Sequence, residues 1–287
     1  MIIIKLRGGL GNQLFQYALG RHLSVLNHSE LKLDTFLLNT PHNWTHRTYE
    51  LASFNIQATT ATQQEINQLS GRWGAWFQRC GKFFGLKSSS YFKEPHFHFY
   101  LPVLSLQDGV YLDGYWQSEN YFSAIAGVIR EDLTPIVPLS NYLETLKNAI
   151  LQCASVSVHI RRGDYTTTSK ANRYLKPCDA DYYQRAVQYL VKRIVNPVFF
   201  VFSDDIEWAK YNVQFDFPTQ YVEGNSAPED MLLMSSCRHH IIANSTFSWW
   251  GAWLNQQPDK IVIAPQKWFS TERFDTSDLL PESWIQL

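Results

Sequence analysis

The segment Val156-Ser157-Val158-His159-Ile160-Arg161-Arg162-Gly163-Asp164 runs from an apolar stretch straight into a dense polar turn. Residues 156–160 read as a short buried strand, and the chemistry-bearing side chains sit where it ends. Downstream the pattern repeats. A helix is expected over 179–195, a strand over 198–202 ending in Ser203-Asp204-Asp205, and a helix over 205–211. A strand near Tyr221-Val222, a helix over 228–236 and a strand over 239–243 ending in Asn244-Ser245-Thr246 follow. A helix over 247–255 and a strand over 261–264 close the series at Pro265. Short apolar strands alternating with helices predict an α/β fold on a mostly parallel sheet covered on both faces. Such sheets bind ligands at the carboxyl ends of their strands.

Upstream, residues 2–7 predict a buried strand, Gly8-Gly9-Leu10-Gly11-Asn12 a turn, residues 13–26 a helix and 31–33 a second strand. This opening also belongs to an α/β layer. Segment 35–60 has few periods and reads as loops, and 109–116 reads as another strand. Pro135 and Pro138 restrict the backbone before a helix over 141–151, which places a domain boundary between residues 1–138 and 139–287.

Bulk properties narrow the function classes. With 45% apolar and 18% charged residues the chain has the composition of a globular protein rather than a disordered one. A net charge of -1 argues against a nucleic-acid binder that relies on phosphate neutralisation. Cys80, Cys153, Cys178 and Cys237 lack metal-ligand spacing and read as free thiols in a reducing compartment. The start, Met1-Ile2-Ile3-Ile4, is broken by Lys5 and Arg7, which fits a signal peptide poorly, and no apolar run reaches bilayer length. A cytoplasmic protein is expected. Between Ser70 and Lys93 all charges are basic and aromatic rings are interleaved with them. This is either helix packing with a basic solvent face or a surface for peripheral membrane or acceptor contact.

Four polar clusters carry candidate chemistry. Arg161 and Arg162 can fork onto phosphate oxygens with a charge that does not titrate near neutrality, and Gly163 allows close backbone approach. Asp164 could accept from an arginine, a sugar hydroxyl or an acceptor proton; a structural Arg–Asp pair at a strand end is the alternative. The turn before Asn12 and Gln13 matches neither a dinucleotide fingerprint nor a P-loop, yet it could present amides to an anion or simply be a tight turn. Asn244, Ser245, Thr246 and Ser248 stand at a strand-to-helix junction, where capping alone explains one or two of the four. Glu229 and Asp230, after Pro228, suit a helix's first turn or a ribose or base edge. Ser203, Asp204 and Asp205 read best as a cap. No zinc motif or serine elbow is present, so no metal is called, and His239-His240 reads as structural.

Three of these stretches, Gly8 to Ala18, His159 to Tyr165 and Asn244 to Leu254, resemble the bacterial alpha-1,2-fucosyltransferases of glycosyltransferase family 11. The resemblance extends through Phe202-Ser203-Asp204-Asp205 and Pro281-Glu282-Ser283-Trp284. It implies a GT-B-like architecture of two Rossmann-like domains facing across a cleft, with residues 1–138 on the acceptor side and 139–287 binding GDP-fucose. It also implies inverting transfer to a terminal beta-galactoside, in cell-envelope glycan synthesis such as O-antigen, with no required metal. Carried over, Arg161 contacts the donor diphosphate with His159 beside it, and Arg162 and Asp164 organise the loop or touch the donor. Asn244, Ser245, Thr246 and Ser248 line the donor pocket, and Asn12 and Gln13 close it. Departure of the sugar from a diphosphate develops charge that fixed cations must stabilise, which gives the arginines a catalytic task. Asp164, Glu94, Asp113 and Glu119 remain rivals for the base that activates the acceptor hydroxyl.

Overall fold

The computed structural model describes residues 1–39, 47–71, 90–163 and 174–287. The chain divides into two compact units, one formed by Met1–Ile136 with Asp275–Leu279, the other by Val137–Phe274 with Leu280–Leu287. The division falls two residues before the position expected from Pro138. The return of Asp275–Leu279 to the first unit has no counterpart in the sequence reading.

In the first unit β1 (Ile2–Lys5) lies at the centre of a parallel sheet with β2 (Leu31–Asp34) and β3 (Thr59–Thr60) on one side. On the other side lie β5 (Val110–Asp113) and then β4 (Tyr91–Lys93). Ile2 pairs with both Leu31 and Val110, so the sheet reverses its direction of growth between β1 and β5. Ile2, Ile3 and Ile4 are fully buried, as expected for a strand covered on both faces. Helix α1 (Leu10–Asn27) starts at Gly9 without a side-chain cap and ends at His28, in the left-handed conformation, whose N–H returns to the carbonyls of Ser24 and Val25. Segment 35–60, expected to be loops, contains α2 (Phe36–Asn39) as well as β3. Helices α3 (Gln63–Ser70) and α4 (Ala126–Asp132) were not foreseen either. Residues 72–89 of the basic aromatic stretch lie outside the described residues.

The second unit begins with α5 (Asn141–Leu151) and β6 (Ala154–Ile160). It continues through α6 (Ala180–Val191), β7 (Pro197–Ser203), α7 (Ile206–Asn212) and β8 (Thr219–Val222). Helix α8 (Ala227–Ser236), β9 (His239–Ile241), α9 (Thr246–Leu254), β10 (Val262–Ala264) and β11 (Ile285–Gln286) complete it. The strand order is β11-β10-β9-β6-β7-β8, all parallel. From β6 the chain builds outward to β8, then crosses back to β9 on the other side of β6, the doubly wound order with its switch point between β6 and β9. Alternation along β7 sorts the core. Phe199 and Val201 pack with Tyr182, Tyr183, Ala186 and Leu190 of α6. Phe200 and Phe202 pack with Leu143, Leu146 and Ile150 of α5 and with Leu233 and Met234 of α8. Helices therefore cover both faces, and the carboxyl ends of β6 and β9 are left to present polar groups. Cys153, Cys178 and Cys237 are free thiols.

Candidate functional site

The polar ends of β6, β7 and β9 meet at this switch point. Asp204, just past β7, organises the end of β6. Its carboxylate accepts from the Arg162 N–H at 2.9 Å and the Gly163 N–H at 3.0 Å, and it pairs with Arg161 Nη1 at 2.9 Å. Gly163 is required for this approach, since a Cβ there would lie 2.6 Å from Asp204 Oδ2. Asp204 thus fixes a guanidinium that is still partly exposed, at 24% of its side-chain surface. The adjacent arginine has a different task. Arg162 lies over the Trp208 ring at 3.9 Å and faces Asp205 at 3.4 Å, pinned to α7. The two guanidinium groups, expected as a phosphate-binding pair, therefore divide into one held at the sheet end and one stacked as a brace.

His159 lies under this loop. Burial, and then the charge of Arg161, pushes its imidazole down to about 3, so it is neutral and too weakly basic to carry a proton near pH 7. Its Nδ1 is buried without a protein hydrogen-bond partner, a polar atom a ligand could satisfy. Asp164, the other expected catalytic carboxylate, lies outside the described residues.

At the end of β9 the Asn-Ser-Thr run is more structural than its composition implies. Asn244 is buried, and its Nδ2 donates to the carbonyls of Lys176 and Trp268, both at 3.0 Å. Its Oδ1 accepts from the Cys178 thiol at 3.5 Å, so Asn244 ties three loops together. Ser245 caps α9 by accepting from the Phe247 N–H, and the fully buried Ser248 donates back to the Ser245 carbonyl. Thr246, partly exposed, opens the helix. Next to Asn244 a cavity of about 300 Å³ is lined by Lys176, Arg185, Lys267 and Trp268 among others; Arg161 and His159 do not line it.

Glu229 forms a capping box, accepting from both the N–H and the hydroxyl of Ser226 at 2.7 Å. Its neighbour Asp230 is the unusual carboxyl: burial raises it to about 6, against the hydrogen bond from Asn225. Ser203 accepts from the Asp205 N–H, and Asp205 caps α7 through the Trp208 N–H.

The first unit places Asn12 and Gln13 in the first turn of α1, after the turn that follows β1. Gln13 is fully buried and spends its amide on the carbonyls of Gly8 and Thr48 and the N–H of Glu50. It is a brace, not a ligand contact. Asn12 accepts from Gln117 Nε2 at 2.7 Å. Asp113 receives Lys5 at 3.1 Å, Arg7 at 2.5 Å and the Tyr91 hydroxyl at 2.8 Å. Burial opposes its ionisation, but Arg7, Tyr91 and Lys5 outweigh it and hold the carboxyl below the ordinary range, which suppresses it as a base. Glu94 has both oxygens on backbone N–H groups. Two contacts have no counterpart in the sequence pattern: Trp208 under Arg162, three residues after the Asp205 cap, and Gln16, which braces Arg7 to Gly114. Among the described residues no cluster of three or more His, Cys, Asp or Glu side chains could hold a metal ion, and no helix is long and apolar enough to cross a membrane.

A doubly wound unit with a fixed arginine at its switch point, joined to a second parallel α/β unit, has the GT-B-like fold of a glycosyltransferase. The chain superimposes on a solved structure of an Arabidopsis thaliana FUT1 mutant in complex with GDP, with a TM-score of 0.53, 12% identity, and coverage of 99% of this chain and 75% of that one. A model of glycosyl transferase family 11 matches residues 84–287, and the chain belongs to that family. It is 38% identical to an alpha-1,2-colitosyltransferase of Escherichia coli, over 100% of this chain and 99% of that protein. It is also 38% identical to the O-antigen biosynthesis glycosyltransferase WbnK of Escherichia coli, over 98% of this chain and 99% of that protein.

Proposed function

We propose that this glycosyltransferase transfers L-fucose from GDP-beta-L-fucose to the 2-hydroxyl of a terminal beta-galactoside, releasing GDP and leaving an alpha-1,2-fucoside. The acceptor oxygen forms the new bond to the anomeric carbon as the bond to the diphosphate breaks. The electron pair of that bond goes to the departing phosphate, and the hydroxyl proton passes from the acceptor to water. The observation that carries this reading is Arg161, held by Asp204 at the carboxyl end of β6 with part of its guanidinium exposed. A cation fixed before the reaction stabilises a leaving phosphate without reorganisation, which is why the transfer is proposed to need no metal. His159 Nδ1 and the Asp230 carboxyl supply polar contacts for the nucleotide, and the glycan is proposed to belong to cell-envelope synthesis at the cytoplasmic side.

The colitosyltransferase relative favours a second reading in which the donor sugar is colitose, which differs from L-fucose by lacking the 3-hydroxyl. Incubation with lactose and either GDP-fucose or GDP-colitose, in the presence of EDTA, separates the two. GDP and a fucosylated trisaccharide support the first reading, and product from GDP-colitose alone supports the second. Absence of GDP release with either donor across several beta-galactosides removes both. Activity that returns only when Mg²⁺ is added removes the metal-independent mechanism.

A further inference from the structure

Strand β5 was expected to continue to Trp116 but stops at Asp113, and the reason is Glu94. Its Oε2 accepts from the Tyr115 N–H at 2.7 Å and its Oε1 from the Trp116 N–H at 2.8 Å. The Glu94 N–H in turn donates to the Asp113 carbonyl at 2.9 Å, so the carboxylate is registered to the strand it terminates. Trp116 is forced to φ 59°, a region bulky residues avoid, and is fully buried between Phe92 and Tyr121. Gly114 permits the turn, because a Cβ there would lie 2.5 Å from both Glu94 Cβ and Trp116 Cε2. A residue held in such a strained conformation by its neighbours tends to mark a site.

The turn changes what β5 presents. Tyr115 is put outward with 37% of its surface exposed, and the Arg7 guanidinium lies 4.6 Å from its ring centroid. Gln117, one residue past the strained position, reaches Asn12 at 2.7 Å. Gln16 clamps the strand ends together through the Arg7 N–H and the Gly114 carbonyl. Two donors in this region, Arg7 Nε and Trp116 Nε1, are buried without a protein partner. An exposed aromatic ring with a guanidinium over it has the composition that recognises a pyranose. The sugar's C–H face packs on the exposed part of the ring while its hydroxyls meet the guanidinium.

We infer that Tyr115 and Arg7 form a pyranoside-binding platform and that Glu94 is the positioning residue that holds it. That the bound sugar is the acceptor rests on the transfer reading above; the binding surface itself does not. Glu94 acts through the Tyr115 and Trp116 N–H groups rather than on the reacting hydroxyl.

Saturation-transfer NMR with methyl beta-galactoside, methyl beta-glucoside and methyl beta-N-acetylglucosaminide tests this on the whole chain, with GDP affinity measured in parallel. The wild type is expected to bind at least one of the three. Tyr115→Ala and Tyr115→Leu are expected to weaken that binding about tenfold, Tyr115→Phe to retain it, and all three to leave GDP affinity unchanged. Tyr115→Leu keeps apolar bulk and carries the test if the alanine variant is unstable. No binding of any pyranoside to the wild type, or undiminished binding by Tyr115→Leu, overturns the inference. In turnover, Glu94→Gln presents an N–H to one of the two backbone donors and is expected to raise the acceptor KM about tenfold with little change in kcat. A collapse of kcat at unchanged acceptor KM would overturn the positioning role and assign Glu94 to proton transfer. Normal pyranoside binding without transfer from either GDP-fucose or GDP-colitose would defeat the transfer reading while this site stands.

Discussion

At the end of β1, Arg7 meets Asp113; at the end of β6, Arg161 meets Asp204. Both pairs sit beside the point where a parallel sheet reverses its growth, yet their surroundings differ. Asp113 is shared among Lys5, Arg7 and the Tyr91 hydroxyl, so its charge is consumed by neighbouring side chains and its own surface is 9% exposed. Asp204 is 25% exposed and spends its acceptors on two backbone N–H groups and one guanidinium. The first pair closes an ionic knot that ties a strand end to its sheet. The second shapes a loop and leaves a cation presented at a strand end. An arginine–aspartate pair at a switch point is therefore not a site by itself; what the aspartate does with its remaining lone pairs decides.

Substitutions can break this contrast. The largest expected effect is Arg161→Ala, which should lower kcat/KM for transfer by roughly 10²–10³-fold, the scale of removing one fixed donor from a developing anion. Arg7→Ala should leave donor affinity unchanged; matching losses of donor affinity in the two variants would erase the distinction. Asp113→Asn should cost about 3 kcal/mol in chemical denaturation, because Lys5 and Arg7 are then left without their counter-charge in a largely buried setting. Asp204→Asn should cost less stability and more activity, and the reverse order would contradict the roles assigned.

Acid should separate the units as well. Burial depresses the imidazoles of His159, His239 and His240 in the second unit. The unfolded histidines gain protons near pH 6.5 while the folded ones do so only at lower pH, so stability is lost as pH falls below that value. His159, at about 3 when folded, alone removes ~2 kcal/mol by pH 5. Asp230 works the other way, since its carboxyl at about 6 favours the folded state as pH falls toward the ordinary carboxylate range. In the first unit the depressed groups are the carboxyls of Glu65, Asp108, Asp113 and Asp275, whose contributions are lost only on acidification through and below that range, while the raised Glu94 opposes them. Hydrogen exchange corrected for intrinsic rates should show β6 and β9 losing protection between pH 7 and 5 before β1 and β5; the opposite order would refute the assignment. The smallest effect is Glu229→Ala, expected to cost about 0.5–1 kcal/mol as a lost cap while leaving the donor KM unchanged. A raised donor KM would return Glu229 to the binding site.

Much of the second unit was legible because β6, β7 and β9 are short apolar runs ended by polar residues, as in residues 156–164, whereas β11 was not foreseen. The helix over Asn141–Leu151 was predicted at its observed bounds from the break at Pro135 and Pro138; the Ser140 cap, which accepts from the Leu143 N–H, was not foreseen. The first unit was harder to read. Thr59–Thr60 is too short to show alternation, and β5 ends early because of Glu94, a contact between residues about twenty apart that no local pattern encodes. In the site, residue type singled out Arg161 and Arg162 together, but not that Arg162 would stack on Trp208 or that Gln13, Asn244 and Ser248 would spend their polar groups on protein. Capping and bracing use the same side chains as ligand binding, and only the partners distinguish them.

Arg161 either acts on the breaking bond or only captures the donor. Single-turnover transfer from pre-bound GDP-fucose to lactose, at saturating donor, compares wild type with Arg161→Ala. A slowed chemical step on bound donor, by about a hundredfold, is the expected result. An unchanged rate on bound donor, with only the donor Kd raised, would contradict it.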